Sequence, residues 1–223
     1  MDSTKSFPRL DVLPHAQQVV WAELNQIPTE FTLYGGTAIA LYLGHRESVD
    51  FDFFGTEKFA PLDLLASLSL LSGARVTQSE PNTLSVIIYR DAAPVKMSFF
   101  GLPHIEPLRT ATMCADNGLK VASLLDLAGM KAAVVQNRAE PKDYIDIDAI
   151  LSETDIDLAL AIGAARAIYG SSFSITGSLK ALGYFGEPRL EALPSALKSR
   201  LSTAVQSVIG RAIPEVQALG NTP

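Results

Sequence analysis

An α+β fold, a small mixed β-sheet with flanking helices followed by a helical C-terminal half, is predicted by two contrasting patterns and one absence. Short runs rich in Val, Ile, Phe and Tyr, separated by turn residues, fill the first half of the chain. From Ser123 onward the apolar residues recur at helical spacing instead. No internal repeat, heptad run or low-complexity tract interrupts either half, and 223 residues at 48% hydrophobic content suffice for a sizeable core.

The elements follow in order. Ala16, Val19, Val20, Leu24 and Ile27 lie at helical spacing and predict an amphipathic helix over Pro14 to Ile27, broken by Pro28. A short strand, Phe31 to Tyr34, leads through a Gly35-Gly36 turn into a helix from Thr37 to Leu43, and then into a strand from Val49 to Phe54. In that strand Asp50 and Asp52 share one face, with Val49, Phe51 and Phe53 on the other. Pro61 starts a helix that ends near Ser72-Gly73. The runs Ala74 to Gln78, Thr83 to Arg90 and Val95 to Phe100 predict a meander, because Glu80-Pro81-Asn82 and Asp91-Ala92-Ala93-Pro94 are turn chemistry. Gly101 to Asn117 reads as a less regular crossover with room for one more short strand.

Ser123, with Asp126 three residues on, resembles a capping box opening a helix of about four turns through Arg138. Pro141 opens the next helix, and Asp155 begins another closed by Gly170. Two or three further helices follow, with a polar end at Gly220 to Pro223 that is expected to fray.

Composition excludes several classes. Cys114 is the single cysteine, so neither an intramolecular disulfide nor a Cys-based zinc or redox motif can form, and the residue reads as a small buried apolar group. No run approaches the roughly 18 apolar residues of a membrane span, and the N-terminus has no basic start followed by an apolar stretch; a cytoplasmic protein without membrane contact is expected. The net charge of -6 argues against broad nucleic-acid binding. Residues 158–223 nevertheless lean positive, with Arg166, Lys180, Arg189, Lys198, Arg200 and Arg211 against Glu187, Glu191 and Glu215, which leaves a local RNA-binding surface open.

The stretch from Phe31 to Phe54 carries the chemistry. Gly35-Gly36-Thr37 lies between strand and helix, where bare backbone N–H groups and the positive helix end can cradle a phosphate; a glycine turn required only by geometry is the alternative. Two carboxylates at about 5 to 7 Å repel by roughly 2 to 3 kcal/mol at an effective dielectric near ~20. A partly buried Asp50/Asp52 pair therefore calls for a cation, and a hard divalent ion such as Mg²⁺ takes oxygen ligands. A solvent-facing pair near a strand end is the alternative. Lys131 and Arg138, seven apart, are expected on one face of an apolar helix, with Asp143 and Asp146 on the next helix as candidate ion-pair partners.

The combination GGT then DFDFF resembles the polymerase-β-type nucleotidyltransferase superfamily, and the intervening GHRES is similar to its AbiEii/AbiGii-type toxin branch. KVASLLDLAGMKAAVVQNRAEPKDYIDIDAIL resembles that branch's second block, so the likeness covers roughly residues 30–151. It implies a nucleotidyltransferase-like core over residues 1–120 and a helical domain over 121–223 that completes the site. It further implies that Gly35, Gly36 and Thr37 hold a triphosphate and that Asp50 and Asp52 bind Mg²⁺. Lys131 and Arg138 would reach the nucleotide phosphates, with catalysis resting on Asp50, Asp52 and Lys131, and Asp143 and Asp146 would support them. Arg46 and Ser48 are candidate secondary phosphate contacts, although Arg46 could equally pair with Glu47 or a nearby Asp; His45 reads as a loop residue.

The implied function is transfer of a nucleoside monophosphate from a nucleoside triphosphate to a hydroxyl of RNA or tRNA, protein or a small molecule. The chain would then be the toxin of a toxin-antitoxin or phage-defence pair, with an antitoxin protein as partner. One departure stands out. The superfamily commonly places a third carboxylate on a neighbouring strand, and here Ser98 stands in its place, with Lys96 beside it and Asp91 and Glu106 the nearest acids in sequence. A degraded nucleotidyltransferase fold that binds a nucleotide or partner without turnover is the alternative function.

Overall fold

The structure is a computed structural model that describes residues 7–221. It divides into two compact units, one running up to Ile105 together with Ala111–Ala122, the other comprising Glu106–Thr110 and everything from Ser123 onward.

In the first unit the strands are β1 (Phe31–Tyr34), β2 (Asp50–Gly55), β3 (Arg75–Glu80), β4 (Thr83–Arg90), β5 (Ala93–Gly101), β6 (Thr112–Met113) and β7 (Lys120–Val121), and the helices are α1 (His15–Glu23), α2 (Gly35–Leu43) and α3 (Pro61–Ser67). The sheet is seven-stranded in the order β3-β4-β5-β2-β1-β7-β6. It is mixed: β2 runs parallel to β5 and β1 parallel to β7, while the other neighbours are antiparallel. Alternation along the strands sends Phe31, Leu33, Phe51, Phe53, Val86, Met97 and Phe99 into one buried face. There Phe99 stacks on Phe53 at 5.0 Å and meets Phe31 edge-on at 5.3 Å. Asp50 and Asp52 take the opposite face.

The structure adjusts several predicted boundaries. The first α-helix stops at Glu23 and continues as a 3-10 turn, Leu24–Gln26; α3 likewise ends at Ser67 before a 3-10 turn at Ser69–Leu71. Val49 lies just before β2 and is exposed rather than on the core face, its carbonyl accepting a 2.9 Å hydrogen bond from the Gln17 amide. The β4–β5 hairpin is tighter than expected: Asp91 and Ala92 both have positive φ, the primed turn that matches strand twist, so Ala93 and Pro94 already belong to β5.

The second unit is helical: α4 (Leu124–Val134), α5 (Pro141–Glu153), α6 (Leu158–Tyr169), α7 (Ile175–Gly183) and α8 (Ser195–Val208). Ser123 caps α4 as expected, accepting from the Asp126 amide at 3.1 Å. The fourth turn of α4 does not form. The Asn137 amide donates back to Val134, three residues earlier, so the chain leaves the helix and Arg138 lies in the following loop. The cap of α6 is Asp157, not Asp155. Gly129 lets α4 and α6 touch, since a Cβ there would lie 2.9 Å from that of Ala164. The predicted frayed end, Gly220 to Pro223, falls partly outside the described residues. No helix among the described residues is long and apolar enough to cross a membrane.

Candidate active site

In the first unit, β1 feeds directly into α2, whose first residues are Gly35 and Gly36. Gly35 has φ +74°, and a Cβ on it would meet Asp52 Oδ2 at 2.8 Å. Glycine is thus required twice, for its backbone angle and for the carboxylate lying against it. Tyr34 caps α2 without a side-chain hydrogen bond, so the partly exposed Gly35-Gly36 opening joins the positive helix end to a neighbouring carboxylate. This places the predicted phosphate turn beside one member of the predicted metal pair.

Thr37 and Ser48 are buried, and their hydroxyls are turned on each other. Ser48 lies 2.8 Å from Thr37 Oγ1, which donates in turn to the Asp50 carbonyl. They tie the first turn of α2 to the beginning of β2, the strand that carries the aspartates. Arg46 is half-buried and donates to the Glu47 carbonyl at 2.9 Å, a backbone contact where a Glu47 carboxylate had been one expected partner.

Register decides the third ligand. Asp52 is paired with Tyr34 on β1 and Ser98 on β5, and Ser98 with Ser85 on β4. Ser98 therefore occupies the neighbouring-strand place directly beside Asp52, buried and bearing a hydroxyl. Among the described residues no group of three or more His, Cys, Asp or Glu side chains comes together to hold a metal. The donors that are present, two carboxylates and no imidazole or thiolate, are hard oxygen ligands of the kind Mg²⁺ accepts, provided water and substrate oxygens complete the shell.

In the second unit, Lys131, Arg138, Asp143 and Asp146 do converge. Lys131 Nζ lies 2.7 Å from Asp143 Oδ1 and 2.7 Å from Asp146 Oδ2, while Arg138 donates to Asp143 through Nε at 2.8 Å and Nη2 at 3.1 Å. Both carboxylates are wholly buried and Lys131 nearly so, but the Arg138 side chain keeps 48% of its exposure. Burial pushes the Asp143 carboxyl up, yet the Arg138 hydrogen bonds and the Lys131 charge outweigh it, and the group is held below the usual carboxylate range. Lys131 and Arg138 meet through Asp143 rather than by sharing a helix face. Asp148, on the same helix, faces elsewhere and receives Arg200 Nε at 2.8 Å.

Two residues next to the aspartates were not among the candidate site residues, although Lys96 was already placed on the strand face of Ser98. Gln17 is buried and fixes the residue before Asp50. Lys96 is the register partner of Asp50; its position two residues before Ser98 on an alternating strand was the available signal. Cys114 is buried as expected, and burial, with Asp116 adding its charge, pushes its thiol up to about 12.

One family model takes in most of the chain. The nucleotidyl transferase AbiEii toxin family, of type IV toxin-antitoxin systems, matches residues 21–209. An uncharacterized protein of Aquifex aeolicus (strain VF5) is 30% identical over 168 residues, covering 74% of this chain and 78% of its own. MenT4, a nucleotidyltransferase toxin from Mycobacterium tuberculosis H37Rv, shares the fold with a TM-score of 0.58 at 14% identity, over 87% of this chain and 83% of its own. Since the family match takes in the glycine turn, the paired aspartates and the buried Lys131 cluster alike, the chain belongs to the AbiEii nucleotidyltransferase toxin family.

Proposed function

We propose that the chain transfers a nucleoside monophosphate from a nucleoside triphosphate to a hydroxyl acceptor, with Mg²⁺ held by Asp50 and Asp52, as the toxin of a toxin-antitoxin or phage-defence pair whose antitoxin is a further protein. The observation that carries this reading is the contact of the Asp52 carboxylate with Gly35 at the open start of α2. The amides that would hold phosphate and a carboxylate that would hold Mg²⁺ are then neighbours. Bound there, Mg²⁺ would offset phosphate charge and favour in-line attack at the α-phosphorus. The Gly35 and Gly36 amides and the α2 dipole bind the triphosphate, while Thr37 and Ser48 hold β2 so that both aspartates keep their place. Arg46 contributes a secondary phosphate contact. Within the second unit Lys131 holds Asp143 and Asp146, and Arg138, with its head half exposed, holds Asp143 from the other side.

Transfer from labelled triphosphates to bulk tRNA, total RNA and protein tests the reading. Asp50→Ala and Asp52→Ala are expected to lower wild-type labelling by about 100-fold or more. Equal labelling by wild type and variants would overturn it.

A second reading, binding without turnover, is favoured by Ser98 at the neighbouring-strand position. Calorimetry separates the two: a binding module keeps its nucleotide affinity without Mg²⁺, whereas the enzyme's affinity depends on the ion and falls in Asp52→Ala.

A further inference from the structure

Parallel pairing of β2 with β5 sets Asp50 against Lys96 as it sets Asp52 against Ser98. Lys96 is exposed and, with Asp50, lines a cleft of about 620 Å³ that His15, Glu47 and Asp91 also line. His15 Nε2 and Asp91 Oδ2 lie 3.1 Å apart in that lining. Neither the Asp50 carboxylate nor the Lys96 ammonium has a hydrogen bond or ion pair with another described residue. A carboxylate and an ammonium in adjacent register positions, both open to the same cleft, are available to substrate.

The charge count limits what the site can hold. Two carboxylates balance one divalent ion, and a second ion about 3.5 to 4 Å away would need protein oxygen ligands beside those the triphosphate brings. Here the neighbouring-strand positions carry a neutral serine and a cation. The ammonium beside Asp50 opposes a second divalent ion, and it can supply the positive charge such an ion would bring to the attacking oxygen.

We propose that this is a one-ion site in which Lys96 takes the place of a second cation, its ammonium contacting the acceptor oxygen in the cleft. The inference rests on the reading of Asp50 and Asp52 as ligands of a single ion. In the transfer, the bond from the acceptor oxygen to the α-phosphorus forms as the bond from that phosphorus to the β-phosphate oxygen breaks. Pyrophosphate leaves with the electron pair, the acceptor proton passes to water, and Lys96 stabilises the oxygen as its negative charge grows.

The experiment counts ions as well as turnover, using the full chain with Mn²⁺ and an α,β-methylene nucleoside triphosphate that cannot be cleaved. Free Mn²⁺ is read by electron paramagnetic resonance. One Mn²⁺ per nucleotide-bound chain is expected for the wild type and for Lys96→Met, an exposed position where the substitution is compatible with folding. Lys96→Met is further expected to lower labelling of bulk tRNA by about 100-fold, with Lys96→Arg recovering part of it. Two Mn²⁺ per wild-type chain, or wild-type labelling by Lys96→Met, would overturn the proposal. If Asp50→Ala binds the ion as the wild type does, the ligand reading falls and this inference with it. If Asp50→Ala loses the ion while Lys96→Met labels normally, only the role of Lys96 is wrong.

Discussion

Gly35 shows how tightly single residues define the site. A side chain there must both adopt a left-handed backbone angle and displace the Asp52 carboxylate. Gly35→Ala is therefore expected to cost about 1 to 3 kcal/mol in denaturant unfolding and, by misplacing Asp52, to lower nucleotide transfer about 100-fold. Lys131 is the second such residue. Lys131→Met would take the ammonium from two buried carboxylates, of which Asp143 keeps Arg138, and breaking a buried pair in this way costs about 3 to 5 kcal/mol. The pH dependence follows from Asp143. Its folded carboxyl is depressed below the ordinary value of 3.8, so the stability it contributes is present above that value and is lost as pH falls through the depressed one. Without Lys131 the depression shrinks, and the acid-unfolding midpoint is expected to move to higher pH. A midpoint unchanged by Lys131→Met in acid titrations followed by circular dichroism would contradict this.

Among the elements, local chemistry was legible where it is local. β1 and β4 fall where alternation and turn residues set them, Ser123 caps α4, and Pro141 opens α5. The end of α4 was not legible, because Arg138 leaves the helix and bonds Asp143, a partner that a helical wheel does not show. The parallel pairings of β2 with β5 and of β1 with β7 were likewise hidden, since they depend on crossovers rather than on any one run of residues. The site divides in the same way. The shared face of both aspartates and the glycine turn between strand and helix were readable from spacing, but the inward turn of Thr37 and Ser48 is a matter of rotamer and contact. That latch makes a distinguishing prediction. Thr37→Val keeps the shape but leaves the Ser48 hydroxyl and the Asp50 carbonyl without this partner, so unfolding without nucleotide is expected to weaken by about 1 to 3 kcal/mol. A Thr37 that served mainly as a phosphate ligand would instead weaken nucleotide binding and leave the free protein's stability unchanged.

At the scale of the whole molecule, charge bears on the acceptor. The net charge is -6, and the positive lean of residues 158–223 had left RNA binding by the C-terminal helices open. In the structure most of those cations already have intramolecular work: Arg200 holds Asp148, Arg189 pairs with Glu140, Arg166 reaches the carbonyls of Ile213 and Pro214, and Lys198 reaches that of Glu191. Arg200 and Arg189 stay largely exposed in these pairs, yet the contacts hold each side chain to its own helix or a neighbouring segment and reduce its freedom to track a phosphate backbone. An RNA acceptor would then be recognised at its reacting end, by Lys96 and the cleft beside Asp50, more than along its length. Neutralising about two phosphates gives a shallow salt dependence, with affinity for tRNA falling about tenfold between 50 and 200 mM salt, whereas about six contacts would cost roughly a thousandfold over the same range. Filter binding across that range distinguishes the two. A steep slope that flattens in Lys180→Gln or Arg211→Gln would restore the C-terminal helices as the RNA-binding surface; a shallow slope leaves specificity to the groups that face the acceptor hydroxyl.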